Sequence, residues 1–315
     1  MKVLLTGASS FTGCWFARAL LDAGHEVVAT FQSKHDEYSD GRRARIATIP
    51  NQCHKVFAVS FGDDNFLSLL RDDGFDVLCA HGAVVGDYRS PAYDVAAALA
   101  ANTRNIKVVF DILAARTGTR VILTGSNFEP GEGAGSVPLE AFNPYGLAKS
   151  LTAETFRFYA RQAGMTLGKF VISNPVGPHE EARFTNYLMR NWWRQDAPMV
   201  GTPRYVRDNI PVDLLARAYG HFLSALPTDG GFHHMSPSGY VETQGAFAER
   251  VAREMRPRLG LPCQLSFADQ RDFPEPLIRI NTDSWVRWCP DWDETASWDA
   301  YAAYYRAVLT GSAAG

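Results

Sequence analysis

The sequence predicts an α/β protein built on a doubly wound parallel sheet, with a smaller irregular α+β lobe in its second half. Two observations carry the first part: apolar runs of strand length alternate with amphipathic stretches of helix length, and a glycine-rich turn follows the first run. A third carries the lobe: after residue 173 Pro and Gly become frequent, the strands shorten, and Trp appears at position 192 and beyond after a single earlier Trp15.

The elements follow in order. Lys2–Thr6, Glu26–Phe31, Lys55–Ser60, Asp76–Ala80, Arg120–Thr124 and Thr166–Ser173 read as strands rich in Val, Ile and Leu. Thr12–Ala23, Asp64–Asp72, Pro91–Arg116 (in one or two pieces) and Pro144–Ala163 read as helices, with Pro144 suited to a first turn. The expected organisation is a sheet domain over 1–173 and a lobe over 174–315, with segments near 205–235 returning to the first domain.

Composition narrows the function classes. With 315 residues, 46% apolar and 21% charged, the chain is long enough for a large core and ordinary for a soluble globular protein. A net charge of −3 without a Lys/Arg block argues against nucleic acid, and no apolar run approaches the ~20 residues that span a bilayer. Five scattered cysteines without a C-x-x-C read as reduced thiols of a cytoplasmic protein, with neither a disulfide framework nor a zinc site. His233 and His234 are adjacent and would point to opposite faces of a strand, so no metal is expected there.

Val3–Gly13 reads V-L-L-T-G-A-S-S-F-T-G, a strand, a glycine turn and the start of a helix. Gly7 permits the tight turn, Gly13 lets the helix pack close, and the helix N-terminus offers free N–H groups to a pyrophosphate, as in a Rossmann-type dinucleotide site. Ser10 stands where a second, backbone-approach glycine is usual. NAD sites place a carboxylate at the end of the second strand to hold the ribose 2′-OH. Here that strand runs into Phe31-Gln32-Ser33-Lys34, with Arg42 and Arg43 beyond, so a 2′-phosphate would meet donors and a cation. NADP(H) is favoured, and NAD(H) is the alternative.

Tyr145 and Lys149 are four residues apart on a helix and share one face. An ammonium there favours the phenolate, allowing proton exchange far below the usual tyrosine pKa of about 10. Ser126 closes an apolar strand, at a place where a substrate oxygen could be met.

Together these residues resemble the extended short-chain dehydrogenase/reductase family, in its nucleotide-sugar epimerase, dehydratase and reductase branch. The likeness covers most of the chain: T-G-A-S-S-F-T-G at the start, A-H-G-A at Ala80–Ala83, Asn105-Ile106 followed by Asp111-Ile112-Leu113, Ser126, P-Y-G-L-A-K from Pro144, N-P-V-G-P at Asn174–Pro178, and Y-V-R-D-N-I-P-V-D at Tyr205–Asp213. The resemblance implies an enzyme in which Tyr145 is the general acid/base, Lys149 lowers its pKa and holds the nicotinamide ribose, and Ser126 meets the substrate oxygen. It implies support of Lys149 by Asn105, with Asn102 as the fallback, and cofactor contacts from Gly7, Ser9, Ser10, Phe11, Gly13, Phe31, Gln32, Ser33, Lys34 and Ala80. For a nucleotide-sugar substrate it implies Asn174, Arg207 and Arg271, with Asp208 structural. Two long helices, Pro91–Arg116 and Pro144–Ala163, would pair with a second copy to form a homodimer. Trp192 and Trp193 read as core filling rather than an aromatic wall.

Among the reactions of the branch, dehydration needs an Asp and a Glu directly after the hydroxyl residue. Here Asn127 and Phe128 follow Ser126, and Glu129 lies one position too far. The expected function is therefore NADP(H)-dependent reduction of a keto group on a nucleotide-activated deoxysugar. An NAD-dependent 4-epimerase is the alternative, and a non-catalytic NADP-sensing protein, a class that typically loses Tyr or Lys, is the second.

Overall fold

The computed structural model describes residues 1–88, 90–136, 139–270 and 275–312. The chain divides into two compact units: residues 1–132, 139–172 and 216–236 form the first, and residues 133–138, 173–215 and 237–315 the second.

The first unit is a seven-stranded, fully parallel sheet. Lys2–Thr6 lies inside it, with Glu26–Phe31 and His54–Phe57 on one side and Val77–Ala80, Arg120–Ser126, Thr166–Ile172 and the edge strand Gly231–Met235 on the other. Four of the strands, Lys2–Thr6, Val77–Ala80, Arg120–Ser126 and Thr166–Ile172, are buried almost end to end because helices cover both faces. Strand order reverses between the first and fourth strands, and a crevice opens beyond the carboxyl ends at such a reversal.

One face is covered by Asp64–Asp73, Ile106–Ala114 and Pro144–Gln162, whose Phe66, Phe110 and Phe156 interlock over Leu4, Val28 and Leu78. On the other, Phe16 of the helix Phe11–Asp22 stacks on Tyr219 with ring centroids 4.0 Å apart, and both meet Phe170 of the sixth strand edge-on. The stretch 91–116 is broken into Val95–Asn102 and Ile106–Ala114, and Asn105 takes a left-handed φ of 51° at the break. A helix over Asp40–Thr48, not anticipated from the sequence, follows the second strand.

The second unit has a small mixed sheet in which Val206–Pro211 pairs with Asn174–Val176, Tyr240–Thr243 and Ile278–Ile280. Its core joins the helices Phe184–Trp193, Gln244–Leu259 and Glu294–Ser312 through Trp192, Phe247, Met255, Trp298 and Tyr305. Trp192 is fully buried and its indole donates to the Gln264 carbonyl at 2.7 Å, and Trp193 packs on the same cluster, so both fill the core. Among the described residues no helix is long and apolar enough to cross a membrane.

Candidate active site

The glycine turn is held by backbone contact. Gly7 has a φ of +74°, and a Cβ there would stand 2.6 Å from the Cα of Gly82, in the loop after the fourth strand. Gly82 N donates to Thr6 Oγ1 at 2.8 Å, closing the two loops together. Ser10 caps the following helix by accepting from Gly13 N at 3.0 Å. Its hydroxyl also meets His81 Nε2 at 3.0 Å, as does Thr12 Oγ1 at 3.1 Å, while His81 Nδ1 reaches Thr124 Oγ1 at 3.0 Å. His81 thus ties the turn to the fifth strand. Burial, aided by the Lys149 charge, pushes its pKa down to about 3, so the ring stays neutral. No sequence signal beyond A-H-G-A marked this bridge.

A turn at the carboxyl end of the first strand, opening a capped helix at the reversal of strand order, fits a dinucleotide pyrophosphate. Ser9 and Phe11 are buried in this turn, and Ala80 is buried at the end of the fourth strand. The Phe31 ring is also buried, stacked on Phe57 at 4.7 Å. Gln32, Ser33 and Lys34 follow it; Ser33 N donates to the Tyr38 hydroxyl at 3.0 Å and Lys34 N to Glu37 Oε2 at 3.0 Å. Arg42, on the helix Asp40–Thr48, donates to Ser9 Oγ at 3.0 Å and so sets a guanidinium against the glycine turn.

Ser126 ends the fifth strand, and Tyr145 and Lys149 lie in the first turns of Pro144–Gln162. Asn143 caps that helix by accepting from Gly146 N at 2.7 Å. A Cβ at Gly146 would fall 2.3 Å from the Phe128 carbonyl, so the residue after Tyr145 must be small for the helix to close on the Ser126 loop. Tyr145 sits among the rings of Tyr88, Tyr93 and Phe128, with centroids 5.9, 6.1 and 6.3 Å away. Lys149 is buried, and its Nζ donates to the Thr124 carbonyl at 2.5 Å. Burial lowers its pKa, Glu129 opposes that and the Lys169 charge adds to it. The structure therefore gathers Ser126, Tyr145 and Lys149 at the carboxyl side of the sheet beside the glycine turn.

Asn105 turns to the Gly62 carbonyl, to which its amide donates at 2.9 Å. Asn102 is the asparagine that faces the helix carrying Tyr145 and Lys149: its Nδ2 reaches Thr152 Oγ1 at 3.5 Å, and its Oδ1 accepts from Val84 N at 2.9 Å.

Asn174 and Arg207 belong to the second unit. Asn174 Nδ2 donates to the Asp208 carbonyl at 3.2 Å. Arg207 lies over Tyr205 and pairs with Glu275 Oε2 at 3.0 Å, so its guanidinium already holds a carboxylate. Asp208 is buried and accepts from Gly239 N at 2.7 Å and Asn281 N at 3.0 Å, a structural knot. Arg271 lies outside the described residues.

The model of the NAD dependent epimerase/dehydratase family matches residues 3–235. No curated protein sequence matches the chain significantly. Among solved structures, the UDP-glucuronic acid 4-epimerase of Bacillus cereus in complex with UDP-glucuronic acid and NAD is similar at a TM-score of 0.75 and 17% identity, covering 98% of this chain and 100% of that one. The UDP-glucose 4-epimerase of Thermotoga maritima with UDP-glucose has a TM-score of 0.70 at 17% identity, covering 98% and 100%. A dTDP-glucose 4,6-dehydratase of Streptomyces venezuelae has a TM-score of 0.71 at 18% identity, covering 98% and 97%.

Proposed function

This chain belongs to the NAD-dependent epimerase/dehydratase family, and on that premise we propose that it is an NADP(H)-dependent oxidoreductase that reduces a keto group of a nucleotide-activated deoxysugar. One observation carries the choice of reaction: the carboxylate nearest Ser126, Glu129, is fully buried and paired with Lys169 at 2.6 Å. It is tied away from proton transfer, and neither Asn127 nor Phe128 can replace it. That leaves one acid/base pair, enough for reduction of a carbonyl and short of what loss of water requires.

The nicotinamide supplies the hydride when bound. Ser126 donates to the carbonyl oxygen as charge develops on it, and Tyr145 delivers the proton. Lys149 stabilises the phenolate which that transfer leaves on Tyr145, and a proton from solvent restores the phenol before the next turnover. The contact of Arg42 with Ser9 supports a 2′-phosphate, because a guanidinium stands within reach of the turn.

A specific observation also favours the NAD-dependent 4-epimerase. The Glu37 carboxylate accepts from Lys34 N just past the second strand, and the epimerase from Bacillus cereus holds NAD. The test is the cofactor itself. Tightly held NAD⁺ released from purified protein indicates the epimerase; an empty site that fills with NADPH, and NADPH oxidation on a nucleotide-linked 4-keto-6-deoxyhexose, indicate the reductase. For assembly the reading is a homodimer, with a second copy covering the exposed Leu147, Leu151 and Phe158 along one face of Pro144–Gln162.

A further inference from the structure

A buried run of charges lies beneath the serine. Glu129 Oε1 accepts from Ser126 N at 2.7 Å, and Glu129 Oε2 lies 2.6 Å from Lys169 Nζ. Lys169 comes from the sixth strand, in register with Leu123 of the fifth, and shares its ammonium with Glu132 at 2.6 Å. Glu132 Oε2 meets His234 Nε2 at 2.7 Å on the edge strand. The arrangement is built into the backbone: a Cβ at Gly125, the residue before Ser126, would lie 2.9 Å from Lys169 Cε and 3.0 Å from Glu129 Oε1. The glycine of T-G-S is the space through which the pair passes.

Two ammonium groups, Lys149 and Lys169, are buried in this region, and buried charges persist only when balanced. Within Glu129, Lys169 and Glu132 one cation faces two carboxylates, with His234 beside Glu132 as a further partner. The titratable groups around Lys149 are Tyr145 on its own helix, Glu129 in the loop after the fifth strand, Lys169 on the sixth strand and His81 after the fourth. Of these only Glu129 opposes the loss of its proton.

We propose that Glu129, Lys169 and Glu132 form a positioning triad for the active centre, in which Glu129 fixes the Ser126 backbone and balances the Lys149 ammonium. This rests on the reading of Ser126, Tyr145 and Lys149 as the reacting set, and none of the three triad residues takes part in proton transfer. Without Glu129, Lys149 loses its proton at lower pH, and the support for the Tyr145 phenolate goes with it.

The test has two arms. The first needs no substrate: urea unfolding at pH 7 and pH 9.5 of wild type, Glu129→Gln, Glu132→Gln and Glu129→Gln/Lys149→Met. A base whose folded pKa is depressed costs stability at low pH and returns it as pH rises. Glu129→Gln should thus have a lower midpoint at pH 7 and regain part of it by pH 9.5, and Lys149→Met should remove that regain. Glu132→Gln leaves the Ser126 contact in place and should show a smaller change of the same sign, which keeps the proposal testable if Glu129→Gln does not fold. Midpoints that change with pH as in wild type, or a regain that survives Lys149→Met, overturn it. The second arm is the pH profile of NADPH oxidation on a nucleotide-linked 4-keto-6-deoxyhexose. In Glu129→Gln the alkaline limb should move down by about one pH unit, with Glu129→Asp restoring part of the shift; an unmoved limb overturns the proposal. If wild type reduces nothing, the functional reading falls and the first arm still decides on the triad.

Discussion

Lys149 Nζ is anchored to the carbonyl of Thr124, two residues before Ser126 on the same strand. The bond ties the helix Pro144–Gln162 to the main chain of the strand that ends at Ser126. On the proposed reading Lys149 sets the position of the helix and the Tyr145 hydroxyl carries the proton. Tyr145→Phe should lower kcat at least about 100-fold and leave cofactor affinity nearly unchanged, as read by steady-state kinetics and fluorescence titration. Retention of more than a few per cent of wild-type kcat would remove the phenol from the mechanism. Lys149→Met should harm both turnover and cofactor binding.

Cofactor preference is the second expectation. NADPH should bind at least about ten-fold tighter than NADH, a margin of about 1.4 kcal/mol, and added salt should erode it because the contact is electrostatic. Arg42→Ala should remove most of the difference. Phe31→Asp is a poor probe, since the Phe31 ring is stacked in the core on Phe57. Equal affinities by calorimetry would pass the lead to the epimerase.

Assembly can be read by light scattering at micromolar concentration. The expected mass is twice that of the chain, and Leu151→Arg with Phe158→Arg should halve it, because both side chains are exposed on Pro144–Gln162. A monomeric wild type ends the dimer reading.

The neutral His81 predicts an acid weakness. Its folded pKa of about 3 lies below the ordinary 6.5, so its contribution to stability is present above about pH 6.5 and is lost as pH falls toward 3. A single added proton sets the limit at about 1.4 kcal/mol per pH unit. His81→Gln should flatten the fall in denaturation midpoint between pH 6.5 and 4.5. Parallel curves for the two proteins would contradict this.

What the sequence made legible followed from periodicity and turn chemistry. The first six strands, the glycine turn and the helix carrying Tyr145 and Lys149 fall within a few residues of expectation, because apolar runs and caps are local signals. The seventh strand, Gly231–Met235, is legible only as a segment near 205–235 returning to the first domain, without bounds, since an exposed edge carries no continuous apolar run. The asparagines were not separable either: the break before Ile106 rotates Asn105 to Gly62 and leaves Asn102 beside Thr152, and a left-handed residue inside a helical pattern has no signature. The Glu129–Lys169 pair joins the loop after the fifth strand to the middle of the sixth across 40 residues of chain, and charge patterns along a sequence say nothing of such partners.

The contact between Gly7 and Gly82 has one more consequence. The two loops abut through bare backbone, and Thr6 and His81 pin them from either side. On the proposed reading of this turn as the pyrophosphate site, it is stiff before any ligand arrives. Little conformational entropy remains to be surrendered on capture, so more of the contact energy survives as affinity. It also makes the turn a joint property of two distant stretches of chain: a methyl group added at Gly82 would press on Gly7 N at 3.2 Å.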